Sequence, residues 1–255
     1  MGMFVLKLLV APSLVATATL VARRFGPVVG GWVVGFPIVA GPILLFFAIE
    51  QGSDFAAGAA RSTLLGLVSL ASFSLAYAWV ALRRRWVASL LLGWCAFALL
   101  TWLLRHLAAP AVVGLAAALV ALRAALALLP RLALVREPPI PGSWDIPVRM
   151  LATAALVLSL TWAAGALGPE RSGLLAPFPV ASTVLVVFAH HAGGAAAAVR
   201  VLRGLLLGLQ SFSVFCLLLS LLLVPTGIAA AFSTALVASV AVQVLVLRFA
   251  KRGSP

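Results

Sequence analysis

Gly26-Pro27-Val28-Val29-Gly30-Gly31-Trp32-Val33-Val34-Gly35-Phe36-Pro37, running on through Gly41-Pro42 to Gly52, opens a stretch that the chain uses twice. Gly26-Pro27, Gly31, Phe36-Pro37, Phe46, Gly52, Arg61 and Leu64-Leu65-Gly66-Leu67 return later. Their counterparts are Gly168-Pro169, Gly173, Phe178-Pro179, Phe188, Gly194, Arg203 and Leu206-Leu207-Gly208-Leu209. Each pair is 142 positions apart (168 − 26, 178 − 36, 203 − 61), with no gap. Ser69/Ser211 and Phe73/Phe215 extend the match downstream, and Lys7/Arg149 extend it upstream. Chance rarely holds Gly-Pro, Gly and Phe-Pro in one register, so the pattern reads as an internal duplication.

Composition says where such a unit can live. The chain is 64% apolar and only 9% charged, with a mean hydropathy of +1.22. A soluble domain cannot hide that much apolar surface, and long uncharged runs are the mark of transmembrane helices. The formal charge of +13 would suggest nucleic acid in a soluble protein. Here Arg and Lys sit at the ends of apolar runs, where they mark the cytoplasmic side, so no nucleic-acid partner is expected. Cys95 and Cys216 each lie inside an apolar run, away from any metal-type spacing, and read as small lipid- or core-facing residues. Lys7 and the apolar run after it resemble a signal peptide, but their twin at Arg149 argues for a retained helix.

A span needs about 20 apolar residues. That ruler predicts nine helices, over 3–22, 28–49, 56–82, 86–105, 110–129, 147–167, 172–191, 198–223 and 226–247. The arginines at 23–24, 83–85, 131, 136, 149, 200, 203, 248 and 252 then fall on one side of the membrane. Glu50, Asp54, Arg105, His106, Glu170, Arg171 and Pro225 fall on the other. The positive-inside rule puts the N-terminus outside and the C-terminus in the cytoplasm of a multi-pass protein of the cell (inner) membrane. Four spans return the first copy to its starting side and a fifth helix crosses, so the second copy is inverted. The expected fold is therefore an all-α polytopic membrane protein of about nine transmembrane helices, built as four plus one plus four. Residues 1–106 form the first repeat, 107–145 a linking helix with a Pro-rich cytoplasmic linker, and 146–255 the second, inverted repeat. Inverted repeats of this kind are a common build of secondary transporters.

Helices two and seven are the unusual ones. The second carries Gly35, Phe36, Pro37, Gly41 and Pro42 within one span, and the seventh carries Pro177, Phe178 and Pro179, with Ser182 just after. Proline removes a donor and frees the carbonyl four residues back, and in lipid a freed group must find a partner or line a water-filled cavity. Inversion brings the breaks at Pro37 and Pro179 to similar depth, which suggests a substrate site between broken helices. Kinked, tightly packed helices are the competing reading. Arg61 and Arg203, at matched positions, either snorkel to the headgroups or guard the two mouths and attract an anion. Glu50 and Gln51 end helix two outside, and His190 and His191 end helix seven inside. They are solvated helix ends or stations for a coupled proton. Ser69 and Ser211 follow the small-residue pairs Ser62/Gly66 and Gly204/Gly208, which suit close helix packing, and offer hydroxyls to a pathway. No Ser-His-Asp set, paired carboxylates, metal cluster or nucleotide-binding signature is apparent, so neither catalysis, a metal nor a cofactor is expected.

From Ser172-Gly173 through Phe178-Pro179, Phe188-Ala189-His190 and Gly194, the second half resembles the GlpM-like bacterial inner-membrane proteins. The first half resembles them more loosely, through Gly31, Phe36-Pro37 and Arg61. The resemblance implies units of about four spans, so this chain would be a fused duplicate, and it implies a fold plan without a particular activity. The expected function is a small inverted-repeat transporter or exporter of a small anionic or polar solute. The alternatives are a flippase or accessory subunit for a lipid-linked envelope precursor, or a structural subunit of a membrane complex. The expected partners are the lipid bilayer and a small-molecule or lipid substrate, and homo-oligomers are compatible with the sequence.

Overall fold

The computed structural model describes residues 2–37, 41–107, 109–132, 144–167 and 178–252. Every regular element among the described residues is a helix: α1 (Gly2–Phe25), α2 (Pro27–Gly35), α3 (Gly41–Glu50), α4 (Ser53–Ala81), α5 (Trp86–Leu104), α6 (Ala111–Leu128), α7 (Asp145–Leu167), α8 (Val180–Thr226) and α9 (Ile228–Arg252). Among them α4, α5, α6, α8 and α9 are long and apolar enough to cross a membrane. The protein is an α-helical membrane protein. The Pro-rich linker expected before Trp144 lies mostly outside the described residues, as do Pro177 and the first part of the expected seventh span.

The helices follow the apolar runs, and their irregularities fall where the sequence places Gly and Pro. At 1.5 Å per residue α8, with 47 residues, would extend about 70 Å, more than twice a hydrocarbon core. It is divided at Gly194, whose φ of 68° and ψ of −167° interrupt the helix between limbs 180–193 and 195–226. Gly52, its counterpart 142 residues earlier, has φ 91° and ψ 164° and precedes α4. Only glycine occupies this region without strain. In both places a short helix meets a long one without an intervening loop.

The expected second span is two half-helices. α2 ends at Gly35, Phe36 is extended (φ −81°, ψ 157°), and α3 begins at Gly41. Nine and ten residues make rods of roughly 13–15 Å, about half the hydrocarbon thickness. Residues 38–40 lie outside the described residues, and Gly41-Pro42 open the described part of α3. The Gly41 amide donates to the Pro37 carbonyl at 2.7 Å.

Helix boundaries recur with the sequence repeat. α4 begins at Ser53 and the second limb of α8 at 195. α5 begins at Trp86 and α9 at Ile228, each offset by 142 (195 − 53, 228 − 86). The C-terminal end of α1 meets the start of α7, where Arg23 Nη2 donates to Asp145 Oδ2 at 3.0 Å, so these two helices run antiparallel. α6 packs on both α4 and α8. Its C-terminal carbonyl at Leu128 accepts the Trp79 indole N–H of α4 at 3.1 Å.

The most extensive contact in the fold is that of α2 on α8. It is a meeting of backbones. A Cβ on Gly31 would run into the Val201 carbonyl, and one on Gly204 into the Val28 carbonyl. At Gly35 it would lie 2.5 Å from the Leu205 carbonyl, and at Gly208 it would strike that of Trp32. Two Gly-x-x-x-Gly faces thus interlock, the packing mode that lipid favours because it offers no hydrophobic drive between helices. Substituting Gly204 with Leu forces α2 away and is expected to cost at least the ~1–3 kcal/mol of overpacking. Gly58 has open space around its missing Cβ. Gly58→Ala should therefore hold or gain up to about 1 kcal/mol by removing backbone freedom. Thermal unfolding of both variants in one detergent checks the contrast.

Candidate functional site

The two Phe-Pro sequences adopt different local structures. Pro179 (φ −79°, ψ 60°) is the centre of a tight three-residue turn in which the Val180 amide donates to the Phe178 carbonyl at 2.9 Å. The Pro179 carbonyl then accepts the Thr183 amide at 2.9 Å and the buried Ser182 hydroxyl at 3.2 Å. This carbonyl is well satisfied, and the helix starts directly from it. At the other Phe-Pro, the Phe36 ring lies tilted against that of Trp32 with centroids 5.9 Å apart, and Pro37 is buried.

Val34, two residues before Phe36, packs against the buried cluster of Val15, Ala181 and Val184, whose last two members begin the helix after Pro179. Ala152 of α7 and Phe188 join the same cluster. Phe178 points elsewhere, into an aromatic wall made by Trp94 (5.2 Å) and Phe97 (5.8 Å) of α5.

The first limb of α8 docks through polar contacts that the sequence reading did not identify. Tyr77 of α4, fully buried, hydrogen-bonds through its hydroxyl to Nδ1 of His190 at 3.1 Å. The Trp94 indole N–H donates to the Thr183 hydroxyl at 3.2 Å. Thr183 and His190 are seven residues apart, two helical turns, and so share one face. That spacing, together with the chain's single tyrosine, was the available signal.

The remaining candidates scatter. His191 is exposed while His190 is buried, so the pair does not act as a unit. Glu50 and Gln51 are exposed at the end of α3. Arg61 is exposed and Arg203 half-buried, and neither has an ion-pair partner among the described residues. Ser211 is buried and donates to the Gly208 carbonyl of its own helix at 2.8 Å, which commits its proton. Ser69 is buried too, and its Oγ has no partner among the described residues.

Ser69 has company. Trp32 Nε1, Thr101 Oγ1 and both amide atoms of Gln243 are also buried without a hydrogen-bond partner among the described residues. Left unpaired, each such atom would cost about 1–3 kcal/mol, so each calls for a partner such as a water. Thr101 and Gln243 are themselves 142 positions apart (243 − 101). A separate charged group lies where α1 ends and α7 begins. Asp145 Oδ2 accepts from Arg23 at 3.0 Å and from Arg149 Nε at 2.8 Å, and Arg149 stands 4.7 Å over the Phe188 ring.

No family model, curated protein or solved structure matches the chain. What remains is the geometry of this chain: buried polar atoms on α2, α4, α5 and α9 that lack a partner among the described residues, of which Trp32 Nε1 lies one turn before the interruption at Phe36.

Tyr77→Phe should destabilise the fold by about 0.6 kcal/mol, the usual worth of a hydrogen bond between membrane helices. A double-mutant cycle with His190→Leu should return a coupling of that size, read from reversible unfolding in mixed micelles. Gln243→Leu is expected to do the opposite and raise the unfolding midpoint, since it removes two unsatisfied polar atoms and replaces them with apolar volume.

Proposed function

We propose that the chain is a small inverted-repeat secondary transporter or exporter, with its site beside the interrupted helix α2–α3 and the start of α8. The observation that carries the reading is the half-helix α2, pressed backbone to backbone onto the long helix of the other sequence copy. Discontinuous helices that end near mid-membrane are where secondary transporters hold their substrates. The recurrence of helix boundaries at 142 residues and the antiparallel pairing of α1 with α7 support two inverted copies. Nine crossings, with α2 and α3 sharing one and α8 supplying two limbs, agree with the positions of the arginines. The resemblance of each copy to GlpM-like proteins fits a fused duplicate of a four-span unit.

The solute is small and rich in hydrogen-bond acceptors, an anion or a polar molecule. Trp32 Nε1, one turn before Phe36, is a buried donor that such a solute would satisfy. The buried orphans on α4, α5 and α9 extend the polar inventory beyond the break. A smooth glycine contact between α2 and α8, with the Gly52 and Gly194 joints at the ends of the short helices, provides a surface along which one copy rocks against the other.

Cysteine accessibility tests the proposal. In a Cys95→Ala/Cys216→Ala background, single cysteines at Phe36, Phe178 and Ser182 are exposed to a membrane-impermeant maleimide from each face. The expected result is labelling from one face that shifts toward the other when Gly204→Ala loosens the α2–α8 contact. If no position reacts from either face, with or without Gly204→Ala, there is no central pathway and the reading fails.

A further inference from the structure

A second candidate site lies away from the broken helices, at the turn between α4 and α5. Trp79, Val80, Leu82, Arg83, Arg84 and Leu92 line a cavity of about 470 Å³. Its size falls within the range of small-ligand sites, roughly 300–1,000 Å³. The walls are mostly apolar, and the mouth holds two guanidinium groups. Trp79, Leu82 and Leu92 are exposed at 55%, 37% and 51%. Arg83 and Arg84 are exposed as well, with no ion-pair partner among the described residues.

The space is an open groove, and two of its lining elements are fixed by hydrogen bonds. The Val80 carbonyl accepts the amides of both Arg83 (3.0 Å) and Arg84 (2.9 Å), which folds the two arginines into one tight turn. The Trp79 indole is tied to the Leu128 carbonyl, so its ring is set before any ligand arrives. α5 begins two residues beyond Arg84, at Trp86, and no side chain caps its first turn. Uncapped amides and the helix dipole add to the positive field there.

The repeat supplies a control within the same molecule. Under the 142-residue offset, Trp79, Arg83, Arg84 and Leu92 correspond to Leu221, Pro225, Thr226 and Thr234. The second copy turns the same corner with no charge and no indole. The duplicated fold therefore does not need the basic cavity.

We infer that this cavity binds the phosphodiester headgroup of an anionic phospholipid, with an acyl chain along Trp79, Leu82 and Leu92. Guanidinium forks match phosphate oxygens in pairs. A soluble anion would have no use for exposed indole and leucine walls, whereas a lipid uses both ends of the cavity at once.

Native mass spectrometry of the intact chain tests this, counting retained lipid after exchange into detergent with phosphatidylglycerol or phosphatidylcholine. Phosphatidylglycerol should be retained over phosphatidylcholine, and Arg83→Gln/Arg84→Gln should reduce its retention about tenfold or more. Arg105→Gln, at a different turn, should leave it unchanged. Leu92→Trp keeps both charges but fills the cavity, and it should also lose the lipid. Equal retention of the two lipids by the native protein would overturn the inference. So would full retention by the double variant, or by Leu92→Trp, which would reduce the arginines to a diffuse charge effect. Displacement of the lipid by millimolar inorganic phosphate would overturn it in favour of a soluble anion.

Discussion

The approach of α2 to α8 without side chains between them is the constraint on which the rest of the structure depends. Lipid tails are as apolar as leucine, so helices in a membrane gain little by hiding apolar faces from one another. What holds them is short-range packing, and that is strongest where backbones touch. Gly31, Gly35, Gly204 and Gly208 make this possible, because at each of them a Cβ would collide with a carbonyl of the facing helix. With α2 fixed, the chain must break immediately after Gly35, and the α3 half-helix is free to pack on α4. The same contact ties the first sequence copy to the second, so the two halves cannot be separated into independent bundles.

Around that contact the protein spends very little polarity, and where it does the placement is informative. Asp145 serves two arginines at the junction of α1 and α7, which fixes the antiparallel pairing of those helices. Tyr77 and Trp94 hold the first limb of α8 by one hydrogen bond each, to His190 and Thr183. Trp32, Ser69, Thr101 and Gln243 do neither, since their buried polar atoms find no partner among the described residues. In a bundle stabilised by packing, such groups are liabilities unless a solute or water completes them.

Positions 142 apart share glycine and apolar patterning but differ in their polar side chains. Tyr77 and His190 face each other, but their counterparts are Leu219 and Ala48. Trp94 and Thr183 correspond to Leu236 and Gly41. Arg83 to Arg85 correspond to Pro225, Thr226 and Gly227, which changes a basic cavity into a bare turn.

The sequence by itself determined the α-helical membrane class, the 142-residue pattern and a helix irregularity at Phe36-Pro37. These are local properties: an apolar run must be a helix in lipid, and proline takes a donor out of it. It also pointed to the small-residue faces at Gly204 and Gly208 as packing surfaces. Only the tertiary structure decided what those faces pack against, and that Gly194 breaks a long helix without ending it. The same holds for the pairing of Tyr77 with His190 and of Trp94 with Thr183, and for which polar atoms are left over. Those outcomes depend on residues 89 and 113 positions apart meeting in space. Spacing along one helix names a face, but the partner is set by how the whole bundle closes.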